Sequence, residues 1–149
     1  PVTLRYPNSE DYPARGPRTL TDGLTGGRDY SLNWLFIYGN DLVATIDLGK
    51  VARFGRVTMN FLQDERHHIY LPDAITIEVS ADGVHYEQVS AEKPAIPGSA
   101  TEGEIRNFSF AFSAREARYV RVTATCPRIS LPQSGKKASL CCDEVYVLQ

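Results

Sequence analysis

The sequence lacks a basic excess, a long apolar run and a signal-peptide pattern. Its 16 lysines and arginines face 18 aspartates and glutamates, so the net charge is −2. A domain that binds nucleic acid through phosphate contacts is expected to carry a clear basic excess, which argues against a nucleic-acid partner. No apolar run approaches the roughly 20 residues of a membrane-spanning helix, and no charged segment followed by an apolar one opens the chain. We therefore expect neither nucleic acid nor a membrane among its partners.

Paired cysteine motifs are also absent. The three cysteines, Cys126, Cys141 and Cys142, form an odd set without the C-x-x-C spacing of zinc sites. The vicinal pair lies in the apolar run SLCCDEVYV, where cysteine behaves as a small hydrophobic residue. We therefore expect the thiols to be structural rather than part of a zinc site. A bridge from Cys126 to either of the others stays open, because it requires neighbouring strands that the sequence does not show.

The length and composition favour one globular domain. The chain has 149 residues, of which 42% are apolar and 23% charged, so disordered and collagen-like chains are excluded. There is no internal repeat, low-complexity tract or linker, and we predict a single domain over residues 1–149 that is a monomer. The first residue is Pro1 rather than Met, which leads us to expect a fragment of a larger multidomain protein.

Helical periodicity is missing, and period-two alternation dominates instead. No segment of a dozen residues shows a helical apolar stripe. Alternating segments lie at 41–49, 55–62, 74–83, 107–112 and 117–125, and an apolar run at 141–148 closes the series. The pair Asp82-Gly83 predicts a hairpin turn into VHYEQV. Short strands separated by frequent turns predict an all-β sandwich or barrel-like pair of sheets.

The stretch FLQDERHHIYLP, residues 61–72, crowds ionisable groups between two apolar segments. It is typical of a metal or catalytic site, of a ligand-binding loop, or of an ordinary solvated turn. Adjacent histidines in an extended segment point to opposite faces and rarely share a metal ion. No HExxH helix or nucleophile elbow completes a catalytic site. The ligand-binding loop and the solvated turn therefore remain as alternatives.

The order of five segments resembles a known family. They are TLTDGLTGGRDYSLNW (19–34), DLVATIDLGKVARFGRVTMNFLQD (41–64), LPDAITIEVSADGVHYEQV (71–89), ARYVRVTA (117–124) and DEVYV (143–147). This series resembles the discoidin, or coagulation-factor type C, family of the galactose-binding-like superfamily. It is most similar to the C-terminal modules of bacterial chitobiase-like β-hexosaminidases.

The resemblance implies a jelly-roll β-sandwich of about eight main strands that binds sugars from loops at one end. It implies a non-catalytic module with two partners: a glycan ending in galactose or N-acetylhexosamine, and a tethered glycoside hydrolase domain. The parent protein would be secreted, periplasmic or on the bacterial cell surface. The alternative is a structural spacer or protein-interaction module without sugar affinity.

The resemblance also implies which residues contact the sugar. Planar polar side chains bind pairs of hydroxyls, and an aromatic or imidazole face covers the apolar face of the ring. The predicted carbohydrate-binding residues are Tyr38, Gln63, Asp64, Arg66, His67, His68 and Tyr70. Trp34 is predicted to pack in the core beneath the glycine-rich loop. Lys136 and Lys137 are predicted to lie at the solvated tip of the loop 127–139.

Taken together with the resemblance, the glycine-rich stretch TLTDGLTGGRDY predicts a structural calcium site; its spacing alone favours an ordinary turn. Calcium takes six to eight oxygen ligands, and a glycine-rich loop lets backbone carbonyls turn inward. The resemblance adds a carboxylate from the last strand. The predicted ligand residues are Leu20, Asp22, Gly27, Asp29, Asp143 and Glu144. In the alternative, Asp22 is a turn residue that bonds its own backbone before Gly23.

Overall fold

A computed structural model gives the structure of residues 1–94, 103–128 and 137–149. In these ranges the chain forms eight strands and two short 3₁₀ helices, which confirms the all-β prediction. The 3₁₀ helices are Gly16–Thr21 and Glu65–His67. The strands are β1 (Val2–Leu4), β2 (Leu35–Tyr38), β3 (Leu42–Gln63), β4 (Ile75–Ser80), β5 (Glu87–Glu92), β6 (Glu104–Ala124), β7 (Ser139–Cys142) and β8 (Tyr146–Leu148).

The antiparallel pair β3 and β6 organises the sandwich. The pairing runs from Leu42 opposite Ala124 to Gln63 opposite Glu104. The register shifts near the middle of β3, at 47–52 and again at 54–56, and such irregularities bend a ladder. The two halves of the pair therefore belong to different layers. β1, β4 and β5 extend one layer, and β8, β7 and β2 extend the other.

The bend determines which loops meet. Because β3 turns back on itself, its first residue, Leu42, and its last residue, Gln63, lie at the same end of the sandwich. β4 begins at that end, where Ile75 pairs with Ala124, and finishes at the other end, where Ser80 pairs with Tyr119. The turn between β4 and β5 therefore lies at the end opposite to the loop that follows Gln63.

The core lies between the layers and takes alternate residues from each strand. The predicted inward faces are buried, and residues of both layers form one cluster. From β3 it includes Leu42, Ala44, Ile46, Val57, Met59 and Phe61; from β4 and β6 it includes Ile75, Ile77, Val79, Phe108, Phe110, Val120, Val122 and Ala124. The rings of Phe61 and Phe108 meet edge to face at 5.9 Å. The period-two prediction is confirmed at these positions.

The structure corrects three predicted strand boundaries. The segments 41–49 and 55–62 are one strand rather than two, and so are 107–112 and 117–125, because pairing between β3 and β6 resumes after the bend. The run 141–148 is two strands rather than one. It breaks because the Val145 amide donates to the Leu20 carbonyl (2.8 Å) and the Asp143 carboxylate accepts from the Asn60 amide (3.2 Å).

The three cysteines are free and buried, so no bridge joins Cys126 to the vicinal pair. Burial raises the pKa of the Cys126 thiol to about 11 and that of Cys141 and Cys142 well above the ordinary value. Across the described residues, no helix has the length and apolarity needed to cross a bilayer. Of the predicted tip of loop 127–139, Lys136 lies outside the described residues.

Replacing Phe61 by Ala is expected to lower the free energy of unfolding by about 3–5 kcal/mol, because it leaves a cavity between the two layers. Phe61 is fully buried. Val51→Ala, in the same strand but 56% exposed, is the control and should change stability by less than about 0.5 kcal/mol. Urea unfolding followed by fluorescence measures both, and equal losses in the two variants would contradict the assigned core.

Candidate ligand-binding site

The loop that follows β3 is closed by its own backbone. The amide of Asp64 donates to the Ile69 carbonyl at 2.9 Å, and the Ile69 amide donates to the Asp64 carbonyl at 3.0 Å. Between them lies the short 3₁₀ helix, which ends at His68 in the left-handed conformation, with φ of 60°. The Ser139 amide donates to the His68 carbonyl at 2.8 Å and ties the loop to β7. The ionisable stretch is therefore an ordered loop.

Two of its polar residues lie below the surface. Gln63 is buried, and Asp64 is 1% exposed. One oxygen of Asp64 lies 3.0 Å from His67 Nδ1, and the other accepts from Arg66 Nε at 3.4 Å. The Asp64 carboxylate thus supports the side chains of the loop from beneath. Direct sugar contact by Gln63 or Asp64 stays a prediction.

His67 and His68 line a cavity of about 530 Å³ at the loop end of the sandwich, together with Tyr38. Its lining residues are Ser9, Glu10, Asp11, Tyr12, Phe36, Tyr38, His67, His68, Lys137 and Ser139. The structure thus brings three predicted sugar contacts to one cavity. Arg66 is outside this lining, and Tyr70 packs partly buried against the main core.

Aromatic rings form one wall of the cavity. The Tyr12 and Phe36 ring centres are 5.1 Å apart, and the Tyr30 ring lies 4.5 Å from the His67 ring. A hydrogen bond between Tyr12 and Tyr30 raises the pKa of Tyr30. Tyr38, which lines the same cavity, is 49% exposed. The wall is therefore rigid underneath and accessible at Tyr38.

Sequence reasoning missed the contribution of the N-terminal segment. The Ser9 amide donates to the Phe36 carbonyl at 2.7 Å, which places residues 9–12 beside β2. The Ser9 hydroxyl accepts from the amides of Asp11 and Tyr12 at 3.2 and 3.3 Å. The only local signal is a serine placed to bond the amides two and three residues later. Nothing in the segment itself indicates that it joins β2.

Trp34 packs beneath the glycine-rich loop, as predicted. It is fully buried, and its Nε1 donates to the Gly27 carbonyl at 2.8 Å. A Cβ atom at Gly26 would lie 2.1 Å from the ring, so only glycine fits there. The loop is thus packed on a core side chain.

Carboxylates join the glycine-rich loop to the segment after β7. Glu144 Oε1 accepts from the Gly23 amide at 2.9 Å, and Asp143 Oδ2 accepts from the Gly26 amide at 3.1 Å. Burial raises the pKa of Glu144 to about 7; the neighbouring carboxylates Asp22 and Asp143 also raise it, and the Gly23 bond opposes them. This region therefore places carboxyl groups close together and away from water.

The remaining predicted calcium ligands already have partners. The carbonyls of Leu20 and Gly27 each accept one hydrogen bond, which leaves each a second lone pair. The Asp29 carboxylate is exposed and accepts from the Ser31 amide and hydroxyl at 2.9 and 2.6 Å. Arg15 pairs with Asp22. In the described part of the chain, no three histidine, cysteine or acidic side chains are arranged to hold a metal ion. The calcium ion stays a prediction.

The third histidine lies far from this cavity. His85 is highly exposed in the turn between β4 and β5, at the opposite end of the sandwich. Its Nδ1 lies 2.7 Å from Asp82 Oδ2, and the contact with Asp82 raises the pKa of His85. The turn also confirms the predicted Asp82-Gly83 signal, since Gly83 has a φ of 79°.

Comparison with known proteins identifies a family. The F5/8 type C domain model matches residues 7–142. Among curated proteins, none matches the chain at a significant level.

Three solved structures show the same fold at low identity. The module CpGH89CBM32-5 from Clostridium perfringens, in complex with GalNAc-beta-1,3-galactose, has a TM-score of 0.63 and 14% identity, covering 100% of this chain and 94% of its own. Chitosan-binding module 1 of a chitosanase/glucanase from Paenibacillus sp. IK-5 has a TM-score of 0.64 and 19% identity, with coverages of 100% and 94%. A GH29 fucosidase from Ruminococcus gnavus, in complex with fucose, has a TM-score of 0.62 and 15% identity, with coverages of 99% and 25%.

The raised pKa of Glu144 predicts a pH-dependent stability in the absence of divalent cations. The folded chain keeps this proton up to about pH 7, whereas the unfolded chain releases it near its ordinary pKa of 4.5. The stabilising contribution is therefore complete below pH 4.5 and is lost as pH rises through 7. In the wild type, the free energy of unfolding should fall by roughly 2–3 kcal/mol across this window, and in Glu144→Gln this fall should be absent. Urea unfolding with chelator present measures both.

The control for this measurement is Glu92→Gln, because Glu92 is exposed in β5. Its pH profile should follow that of the wild type. Superimposable profiles for the wild type and Glu144→Gln would contradict the assignment.

Proposed function

The chain belongs to the F5/8 type C domain family, and from that membership we propose that it is a non-catalytic carbohydrate-binding module. The observation that supports this function is the cavity of about 530 Å³ at the loop end. It combines an exposed aromatic face with convergent polar groups, as sugar sites do. A structural spacer that binds no ligand would not require this combination of groups.

We assign the sugar ring to the space beside Tyr38. The exposed Tyr38 ring offers an apolar surface for the C–H face of a pyranose. The imidazoles of His67 and His68 and the hydroxyl of Ser9 offer hydrogen-bonding groups on the same cavity. Terminal galactose or N-acetylhexosamine has the size and the amphipathic faces that this surface requires. One stacked ring and a few hydrogen bonds should give a Kd on the order of micromolar to millimolar.

We also propose that the module serves a larger enzyme. The similar module CpGH89CBM32-5 is in complex with GalNAc-beta-1,3-galactose, and the similar part of the fucosidase is a quarter of that chain. A tethered glycoside hydrolase domain would gain effective concentration on its glycan from a weak module. Such a parent protein would act outside the bacterial cytoplasm, where its glycan substrates are.

Tyr38→Ala and His67→Ala should each weaken sugar binding about threefold to tenfold, because each removes one contact worth on the order of 1 kcal/mol. NMR titration with galactose, N-acetylgalactosamine and N-acetylglucosamine measures the effect. His85→Ala is the control, since His85 lies at the opposite end and should leave the affinity unchanged.

Two results would count against this function. Chemical shifts that do not move with any of the three sugars would favour the structural spacer. Shifts that move at the β4–β5 turn rather than around Tyr38 would place the site elsewhere on the sandwich.

For calcium, we propose that an ion would be held by the carboxylates of Asp22 and Glu144 and by the Leu20 carbonyl. Oxygen donors of this kind suit Ca²⁺. The chemistry of the site fits a cation, since the carboxyl groups of Asp22 and Glu144 contact each other. The Arg15 guanidinium pairs with Asp22 and also donates to Asn33 Oδ1. The ion would join the N-terminal loop to the segment after β7 and would have no contact with the sugar.

Calcium binding should raise the thermal midpoint of the chelated protein by about 5–10 °C at a hundredfold excess over Kd, since a ligand that binds only the folded state stabilises it. Asp22→Asn should abolish the increase, and Asp29→Asn, whose carboxylate is exposed, should keep most of it. Calorimetry measures both. An unmoved midpoint after chelation of a protein shown to carry calcium would contradict the site.

A further inference from the structure

We propose that Asp64 is a positioning residue that holds His67 with its proton on Nδ1, so that His67 Nε2 accepts a hydrogen bond from a ligand hydroxyl. This inference rests on the proposed function and deepens it. It assigns Asp64 to the support of the cavity wall, and it states which chemical group of the sugar His67 would contact.

The contact between Asp64 and His67 fixes where the proton lies. Asp64 Oδ2 and His67 Nδ1 are 3.0 Å apart, a hydrogen-bond distance. An ionised carboxylate only accepts hydrogen bonds, so Nδ1 must be the donor. In a neutral imidazole the other nitrogen, Nε2, then carries a lone pair and no proton.

The surroundings keep the imidazole in this orientation. Asp64 is buried, and its amide and carbonyl both pair with Ile69, so the backbone that carries the carboxylate is held in place. The guanidinium of Arg66 lies 3.4 Å from the second carboxylate oxygen, and the Tyr30 ring packs 4.5 Å from the imidazole. A ring flip would break the contact with Asp64 and place a C–H group against a buried charge.

The edge of the ring that carries Nε2 therefore faces the cavity. Nδ1 points down to buried Asp64, while the His67 side chain is 40% exposed and lines the cavity. A lone pair at this position pairs with a hydroxyl, which donates, and not with an ether or carbonyl oxygen, which cannot donate. The ligand class is thus a pyranose with a free hydroxyl next to the apolar face that covers Tyr38.

Long-range ¹H–¹⁵N NMR of the histidine rings tests the proton position in the free protein, where no ligand is needed. His67→Gln identifies the His67 signals. In spectra recorded at a pH where the imidazole is neutral, we expect one tautomer, with a protonated Nδ1 and an unprotonated Nε2. A mixture of tautomers, or a proton on Nε2, would overturn the proposal whether or not the protein binds sugar.

Titration with galactose and with its monodeoxy analogues tests the ligand contact. The Nε2 resonance should shift when galactose binds, and one deoxy analogue should abolish the shift and bind about threefold to tenfold more weakly. A bound sugar that leaves Nε2 unmoved would overturn the assigned contact. If none of the common monosaccharides binds, the proposed function fails together with the hydroxyl contact, while the tautomer result still decides the role of Asp64.

Variants of Asp64 separate positioning from mere stability. Asp64→Leu removes the acceptor, so His67 should lose its single tautomer and sugar affinity should fall by the same threefold to tenfold. If the leucine variant does not fold, Asp64→Asn replaces it, because asparagine keeps the size of the side chain. The asparagine amide can face Nδ1 with either its oxygen or its nitrogen. Affinity must follow the fraction of Nδ1–H tautomer across the folded variants. A folded variant that loses the tautomer and keeps full affinity would overturn the proposal.

The chain contains a matched control. Asp82 and His85 repeat the same spacing and contact at 2.7 Å, but they lie at the opposite end of the sandwich. Asp82→Asn should change the His85 ring signals and leave both the His67 tautomer and sugar affinity unchanged. An equal loss of affinity in this variant would show that the Asp64 effect is a general loss of stability.

Discussion

The bent ladder between β3 and β6 is the constraint on which the rest of the structure depends. Because the ladder turns back on itself, the start and the end of β3 lie at one end of the sandwich, and the loop after Gln63 meets β7 there. The inward faces of both halves supply one core. A shift of one residue in this register would turn the inward side chains of the shifted strand outward. The same pairing fixes the end of β3, from which the loop of His67 reaches the cavity that Tyr38 also lines.

Buried carboxylates hold both the loop that follows β3 and the glycine-rich loop. Asp64 lies beneath the loop of His67, and Asp143 bonds the glycine-rich loop through the Gly26 amide. A buried charge is unfavourable unless hydrogen bonds satisfy it, so each carboxylate restricts the groups around it to a few arrangements. A surface ordered in this way loses little entropy if a ligand binds to it.

Much of the fold could be predicted from local pattern, and less of the site could. Alternation in 55–62 and 117–125 predicted the inward faces, and the tryptophan beneath the glycine-rich loop followed from its size. The polar stretch 61–72 predicted a loop whose histidines contact a ligand. It did not predict that Asp64 is buried beneath those histidines. Tyr12 was missed because one backbone bond between Ser9 and Phe36 brings it to the cavity.

The sequence by itself determined the all-β class, the core faces and the family, because these depend on periodicity and on the order of short motifs along the chain. Only the tertiary structure decided that two predicted strands are one, that 141–148 breaks in two, and that residues 9–12 line the cavity with His67. The physical reason is the same in each case. These features depend on hydrogen bonds between residues distant in sequence, and no local pattern records which distant partner a backbone amide will find.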